Sequence, residues 1–432
     1  DIRFGSGYLL PDFIEFTNIN ESNRKIIFIG DKFLLQTAKE GESALSQSYL
    51  NEHFNLMTSS FELLNKGEFF PLVNNALSAV KGIKENLYNQ LSFDFFDNYQ
   101  SIDKSDSLNL IEKKINSNAD FHILSYENAN AQKINLWIKK NILKNGDDIT
   151  KNDLVSINNT FKLENEDDPF GEPTRVFNGE FSIVTSASNI ISSETVLLKG
   201  TNTPIVIKYR EISITLKRTG HKVDVLSLEN YRLSEKSELS KAEITAIKII
   251  LDREILEEIK RKPFVGSDSE KKLISSLEYK EISQEVSNYE DRLESGERVK
   301  TKLEDAIARK RKITKFAENQ NKKYIENYLT KDTTSKYYKY KNAAHLRFGW
   351  ALTVHKSRSY KWDDVIFNLS SERRGKSNKP YFKWLYTGLT RAKASVYLIG
   401  YSPINPLIKI DFKDKTIGKK IGKSIYFQSD LM

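Results

Sequence analysis

The chain has 432 residues, with 67 Lys and Arg against 58 Asp and Glu, a net charge of +9 and a pI near 9.1. It contains no cysteine, which excludes disulfides and thiolate metal sites and is compatible with a reducing cytoplasm; its five histidines are scattered without metal-ligand spacing, so no metal site is expected. No apolar run approaches the roughly 20 residues that a bilayer span needs and no signal peptide is visible, so the expectation is a cytoplasmic protein of several domains with no membrane partner, whose basic surplus either suits a polyanion or reflects a Lys- and Asn-rich proteome.

Near the N-terminus Phe4–Leu10, FGSGYLL, holds a Gly-Ser-Gly loop. It lacks the GxxxxGK(S/T) frame of a phosphate cradle and reads as a tight turn. Lys25–Gly30, KIIFIG, reads as a buried strand ending in Gly30-Asp31. Phe121–Tyr126, FHILSY, is a second strand, and Ala131–Lys140 a helix with apolar positions Ile134, Trp137 and Ile138. From Asp148 to about Arg218, β-branched residues alternate with turn signals at Asn158-Asn159, Asn178-Gly179 and Gly200. This predicts a small antiparallel, β-barrel-like insert over residues 148–235.

Ser240–Leu329 is helical and highly charged. Ile244, Ile247, Leu251, Ile255 and Ile259 keep a spacing of three or four up to Pro263, and the pattern resumes on both sides of Gly296. An antiparallel hairpin or short coiled coil within a helical insert at 236–335 is the expectation, with a protein partner as one use of it. Between Gly296 and Lys323 ten Lys and Arg stand against four Asp and Glu, a local +6 that accounts for most of the chain's +9. Arg309–Lys312 either contacts phosphates or forms a solvated helix face. Tyr337, Tyr338 and Tyr340 either stack on bases or pack internally. They lead into Leu346–Val354, LRFGWALTV, which reads as one buried strand.

Two stretches carry the most chemistry. Ala351–Asp363, ALTVHKSRSYKWD, and Leu385–Lys393, LYTGLTRAK, each stand beside an apolar strand-like run, Asp364–Phe367 and Ser395–Ile399. In this order they resemble motifs V and VI of superfamily 1 DNA helicases, nearest the RecD-like branch. KIIFIG with Gly30-Asp31 is similar to the motif III strand, usually written GDxxQL. Ser43–Leu56 resembles the segment after motif III, FGSGYLL the segment after motif II, and FHILSY with its helix motif IV. DLVSINN and VFNGEFSIV resemble the SH3-like insertion of RecD-like helicases. The resemblance covers most of residues 1–218 and 332–405.

The resemblance implies an α/β fold of RecA-like P-loop NTPase lobes, each a parallel sheet with flanking helices, interrupted by the β-barrel-like and helical inserts. Residues 1–115 would be the C-terminal part of a first lobe, 116–147 and 336–410 a second lobe, and 411–432 a tail. It implies an ATP-driven helicase or translocase, a hydrolase using ATP and Mg²⁺ on single-stranded DNA or RNA. The Walker A and B motifs would precede residue 1, since no GxxxxGK(S/T) occurs in the chain, and these residues alone would not hydrolyse ATP. It also assigns residues. Thr353, His355, Lys356 and Ser357 would contact the sugar–phosphate backbone; Gly30, Asp31 and Lys361 would stand on the nucleotide side; Arg391 would be the arginine finger. An Arg suits that task because it is always ionised and its rigid fork of donors meets the charge spread over γ-phosphate oxygens.

The chain also departs from the pattern. Leu34 stands where motif III has Gln, and the expected Arg-Gln pair either appears as Lys66-Gly67 or is missing. Where motif V reads HK(S/A)QG(S/G)E, Arg358, Ser359 and Lys361 replace Gln, Gly and Glu. A Leu can bond neither phosphate nor nucleic acid, and a Lys cannot accept from a ribose hydroxyl. The losses fall on the nucleotide side, so a degenerate binding module without turnover stands beside the motor, and a partner-docking scaffold beside both.

Overall fold

The computed structural model describes residues 9–35, 44–61, 70–163, 174–200, 203–234, 238–370 and 375–405. The chain divides into two compact units, residues 1–146 with 349–432, and residues 147–348. The Gly5-Ser6-Gly7 loop, Lys66-Gly67 and the tail 411–432 lie outside the described residues.

The first unit opens with helices α1 (Leu9–Thr17) and α2 (Gln47–Phe54). Leu10, Ile14, Ala44 and Leu50 form a small cluster there, with Phe28 packed against it. KIIFIG is not the buried strand its composition suggests. It belongs to no helix or strand, with Ile27 and Ile29 82% and 86% exposed, and no described strand pairs with it. A β-branched run becomes a strand only where a neighbour supplies ladder hydrogen bonds and both faces are covered. Next come α3 (Phe70–Glu85), β1 (Tyr99–Ile102) and α4 (Lys104–Asn116). Asp103 caps α4 by accepting from the Asp106 amide, and Lys113 and Lys114 lie in its last turn, where the helix dipole favours cations. In β2 (Phe121–Ser125) all five residues are buried. Helix α5 (Asn128–Trp137) continues as one π-helical segment through Ile142, with Ile138 fully buried.

The second unit begins with β3 (Leu154–Ile157), β4 (Phe161–Leu163), β5 (Thr174–Val176), β6 (Phe181–Leu197), β7 (Pro204–Leu216) and β8 (Lys222–Leu228). Helices follow: α6 (Glu229–Leu233), α7 (Lys241–Arg261), α8 (Asp268–Ser275), α9 (Leu277–Glu294), α10 (Lys300–Leu329) and α11 (Lys336–Lys341). Strand β9 (Leu346–Phe348) closes the unit. Its main sheet is antiparallel in the order β8-β7-β6-β3-β9, and β4 pairs with β5 alone. The two edges meet. Just before β9, the Ala344 amide donates to Leu226 O at 2.7 Å, and the Leu228 amide donates back to Ala344 O at 3.0 Å. That closure makes the insert barrel-like, as its alternation predicts. Gly179, at φ +96°, makes the turn into β6.

Helix α7 starts on a capping box between Ser240 and Glu243. Its Ala246 and Ile250 pack on Ile207 and Tyr209, while Ile255 meets Ile325, Leu329 and Tyr337. Helices α9 and α10 form the expected hairpin around Gly296, joined by Ile282, Val286 and Ala306. The tyrosines lie on α11 and serve packing: Tyr337 and Tyr340 are buried, and Tyr340 stacks on Tyr209 at 4.3 Å. LRFGWALTV is not one strand either. Leu346–Phe348 belongs to this sheet, and the chain leaves it at Gly349.

Back in the first unit come β10 (Ala351–Thr353), β11 (Trp362–Asn368), α12 (Lys379–Leu389) and β12 (Ala392–Ile399). The sheet is parallel throughout, in the order β1-β12-β11-β2-β10. Its centre is dry: Leu124, Val365, Ile366, Phe367, Val396 and Leu398 have no exposed surface. Helix α12 lies so close that a Cβ on Gly388 would sit 2.3 Å from the Phe367 ring. The fold is thus the expected α/β class, a parallel sheet flanked by helices. Strand β1, from within residues 1–115, is part of this same sheet. Among the described residues no helix is long and apolar enough to cross a membrane.

Candidate nucleic-acid interface

The site is built at the ends of the parallel strands. Edge strand β10 is pinned by Asn135, whose side chain donates to Ala351 O at 2.9 Å and accepts from the Ala351 amide at 2.8 Å. This bidentate clamp replaces the ladder partner that an edge lacks. After Thr353 the chain tightens into a turn. The Lys356 amide donates to Thr353 O at 2.9 Å, and the Ser357 hydroxyl donates to Val354 O at 2.8 Å. The four residues assigned to backbone contact therefore divide. Thr353 and Ser357 are buried and hold the turn, while His355 and Lys356 are exposed on it.

Motif VI is the end of α12 and the start of β12. Asn378 caps the helix by accepting from the Tyr381 amide at 2.9 Å. At its far end Thr387 donates to Lys383 O at 2.7 Å, and Thr390 donates to Tyr386 O at 3.0 Å. Arg391 is 6% exposed. Its guanidinium donates to Thr387 O at 3.1 Å, to Arg358 O, to Tyr360 O at 3.4 Å and to the Thr390 hydroxyl at 3.1 Å. The side chain thus ties motif VI to the backbone of the motif V turn. Lys393 bridges Asp120 and Asp363, 3.4 Å from each.

The segment after KIIFIG closes on this assembly. Asp31 accepts from the Phe33 amide at 2.8 Å and from the Tyr386 hydroxyl at 2.6 Å. The Leu35 amide donates to the Thr387 hydroxyl at 2.8 Å, and Arg358 donates to Leu35 O at 2.9 Å. Phe33 meets Tyr386 edge-on at 6.3 Å. Burial, and then Asp31, push the Tyr386 phenol well above its ordinary pKa. Burial pulls both Arg391 and Arg358 below the usual guanidinium value. Two arginines, a carboxylate and a phenol thus share a half-buried pocket of charge, where electrostatic effects exceed those at an open surface.

Of the expected nucleotide-side residues, Asp31 and Arg391 come together through Tyr386, whereas Lys361 is exposed on the approach to β11. Gly30 lies against Leu45, whose Cδ1 would be 2.8 Å from an added Cβ. Sequence reasoning missed three contributors: Asn135, Tyr386 as the partner of Asp31, and Arg358, which registered only as a departure. Tyr386 lies inside LYTGLTRAK and could have been flagged. Nothing local marks Asn135, because its partner is 216 residues away.

A phosphate-transfer site needs a cradle and an acidic metal anchor. Among the described residues no three His, Asp or Glu are grouped to hold a metal ion.

No curated protein matches the chain significantly. Among solved structures it is similar to the Pif1 helicase from Bacteroides in complex with ADP-AlF3 and ssDNA, at 10% identity and a TM-score of 0.30, over 90% of this chain and 67% of that one. It is also similar to the Pif1 helicase from Candida albicans, at 9% identity and a TM-score of 0.29, over 92% of this chain and 70% of that one. Residues 348–399, which carry the motif V turn, α12, Arg391 and β12, match the UvrD-like helicase C-terminal domain.

Proposed function

We propose that the chain is the nucleic-acid-holding part of a superfamily 1 helicase-related protein, of RecD-like type, that grips single-stranded DNA or RNA at the motif V turn. The parallel-sheet unit is read as the second RecA-like lobe, with residues preceding it from a first lobe, and 148–235 as an SH3-like insert. The observation that carries the reading is the turn itself. Thr353 and Ser357 are spent on its backbone, so that His355 and Lys356 stand out at the end of a parallel strand, beside an arginine-latched motif VI. Ligands of open α/β sheets bind outside the carboxyl ends of the strands. Phosphate contacts there position a strand without reading its sequence. Replacing Lys356 with Ala should weaken binding to unrelated single-stranded oligonucleotides alike and lower the salt slope by about 0.7. Unchanged affinity, or loss for one sequence only, would remove the assignment.

An ATP-driven motor is the second reading, favoured by the intact TGLTRAK and by the Asp31–Tyr386 contact beside Arg391. It requires ATP, Mg²⁺ and a phosphate loop that these 432 residues lack. The expected result for this chain is phosphate release at background level, with or without single-stranded DNA; turnover abolished by Arg391→Ala would establish the motor instead.

A further inference from the structure

The basic residues of α10 fall into two groups. Those turned toward neighbouring helices are engaged. Arg309 pairs with Glu285 of α9 at 2.7 Å, Lys310 lies 5.3 Å from the Tyr279 ring, and Lys322 reaches Asp252 of α7 at 3.4 Å. Of the others, Arg311, Lys312, Lys315 and Lys323 lie on two adjoining rows that step by four residues. One row runs from Arg311 through Lys315 and Lys323 to 327, the other from Lys312 through Phe316 and Tyr324 to 328. Every position on both rows is exposed, none is acidic, and the places between are Asn, Gln or Tyr. Phe316 is 65% and Tyr324 68% exposed.

This is not how a merely solvated helix face is composed, since such faces mix both charge signs. Nor is it a docking groove for a helix, which needs contiguous apolar anchors. Cations interleaved with outward aromatic rings match a ligand carrying regular negative charge and free π-faces. We propose that this face of α10 is a second binding surface for single-stranded nucleic acid. Arg311, Lys312, Lys315 and Lys323 meet phosphates, and Phe316 and Tyr324 stack on unpaired bases. The rows run about 26 Å along the helix at its 1.5 Å rise per residue. A duplex is disfavoured, because its bases are stacked on one another and offer the rings no face. The surface shares its ligand class with the motif V reading but stands without it.

The test uses the whole chain with three labelled probes: a 20-nucleotide oligo(dT), a duplex of equal length, and heparin, a polyanion without bases. Phe316→Ala with Tyr324→Ala should lower oligo(dT) affinity about tenfold or more, the loss of one to two stacked bases, while leaving heparin and duplex binding unchanged. Lys315→Gln with Lys323→Gln should lower the single-strand salt slope by about 1.4. All four side chains are exposed, so unchanged circular dichroism and melting are expected and would be checked. Photocrosslinking of oligo(dT) to Tyr324 should be lost in the aromatic variant. Wild-type oligo(dT) affinity in both variants overturns the proposal, and so does an equal loss for heparin in the aromatic variant. Lys356→Ala is measured in parallel. Loss there with intact α10 variants removes this surface and keeps motif V, and the reverse pattern removes motif V and keeps this surface.

Discussion

Arg391 is the residue on which motif VI depends, and its bonds assign it a structural duty before any chemical one. Its guanidinium satisfies the carbonyls of Thr387, Arg358 and Tyr360 in a buried setting. Arg391→Ala would remove the guanidinium bonds to Arg358 O and Tyr360 O and one of two donors to Thr387 O, the other being the Thr390 hydroxyl, and should lower unfolding free energy by on the order of 3 kcal/mol. Arg391→Lys, which keeps the charge but loses the fork, should fall between. Urea midpoints of the whole chain decide this, and an Ala variant within about 0.5 kcal/mol of wild type would show the latch to be idle. His345 carries a separate prediction. It stacks on Tyr231 at 4.6 Å, and burial pulls its pKa from 6.5 down to about 4. The unfolded chain therefore binds a proton in a window where the folded chain does not. The stabilisation is fully present above pH 6.5 and is lost as pH falls toward 4, on the order of 3 kcal/mol in all. His345→Gln should flatten that part of the stability–pH curve; an unchanged slope would place the ring in water.

At the scale of elements, α12 is held by absent side chains. A Cβ on Gly388 would sit 2.3 Å from the fully buried Phe367 ring, and one on Gly82 of α3 would sit 2.5 Å from Phe382 of α12. Neither ring has space to retreat, so Gly388→Ala should cost about 3 kcal/mol through overpacking and Gly82→Ala a similar amount. A melting temperature unchanged by Gly388→Ala would mean that the helix slides freely on the sheet. Strands of this kind were legible where their burial is two-sided. FHILSY and the apolar core of β11 read as apolar runs because helices cover both faces of a parallel sheet. KIIFIG has the same signature and is no strand, because pairing is decided by a neighbour and not by the run itself. Strand β1, YQSI, is invisible for the converse reason: at the sheet edge only Tyr99 is buried, so it leaves no run to see. The site shows the same division. Motif spelling singles out Arg391, Asp31 and the motif V turn as candidates, but not that Arg391 donates to the carbonyls of the motif V turn or that Asp31 meets Tyr386, since those contacts close loops of 31 to 355 residues.

At the scale of the molecule, residues 147–348 have the organisation of an insertion that can stand alone. Where the chain enters and leaves, β3 and β9 are paired antiparallel, Ser156 against Arg347, so the two ends lie side by side and need no outside scaffold. The unit has its own core, from Ile207 and Tyr209 in β7 to Ala246 and Ile250 in α7 and Tyr340 in α11. Its buried charges are answered internally. Arg232 pairs with Glu229 at 2.5 Å, Arg210 with Asp148 at 2.6 Å, and Arg347 donates to Tyr231 O at 3.1 Å and Ser234 O at 2.9 Å. Domains with these properties fold independently. A fragment of residues 147–348 should show mixed helix and strand dichroism and one cooperative urea transition. Glu229→Gln should lower that transition by a few kcal/mol, because it leaves Arg232 buried without its counter-charge. A fragment that binds hydrophobic dye and melts without cooperativity would mean that the remaining residues supply part of this core, and would tie the two units into one folding event.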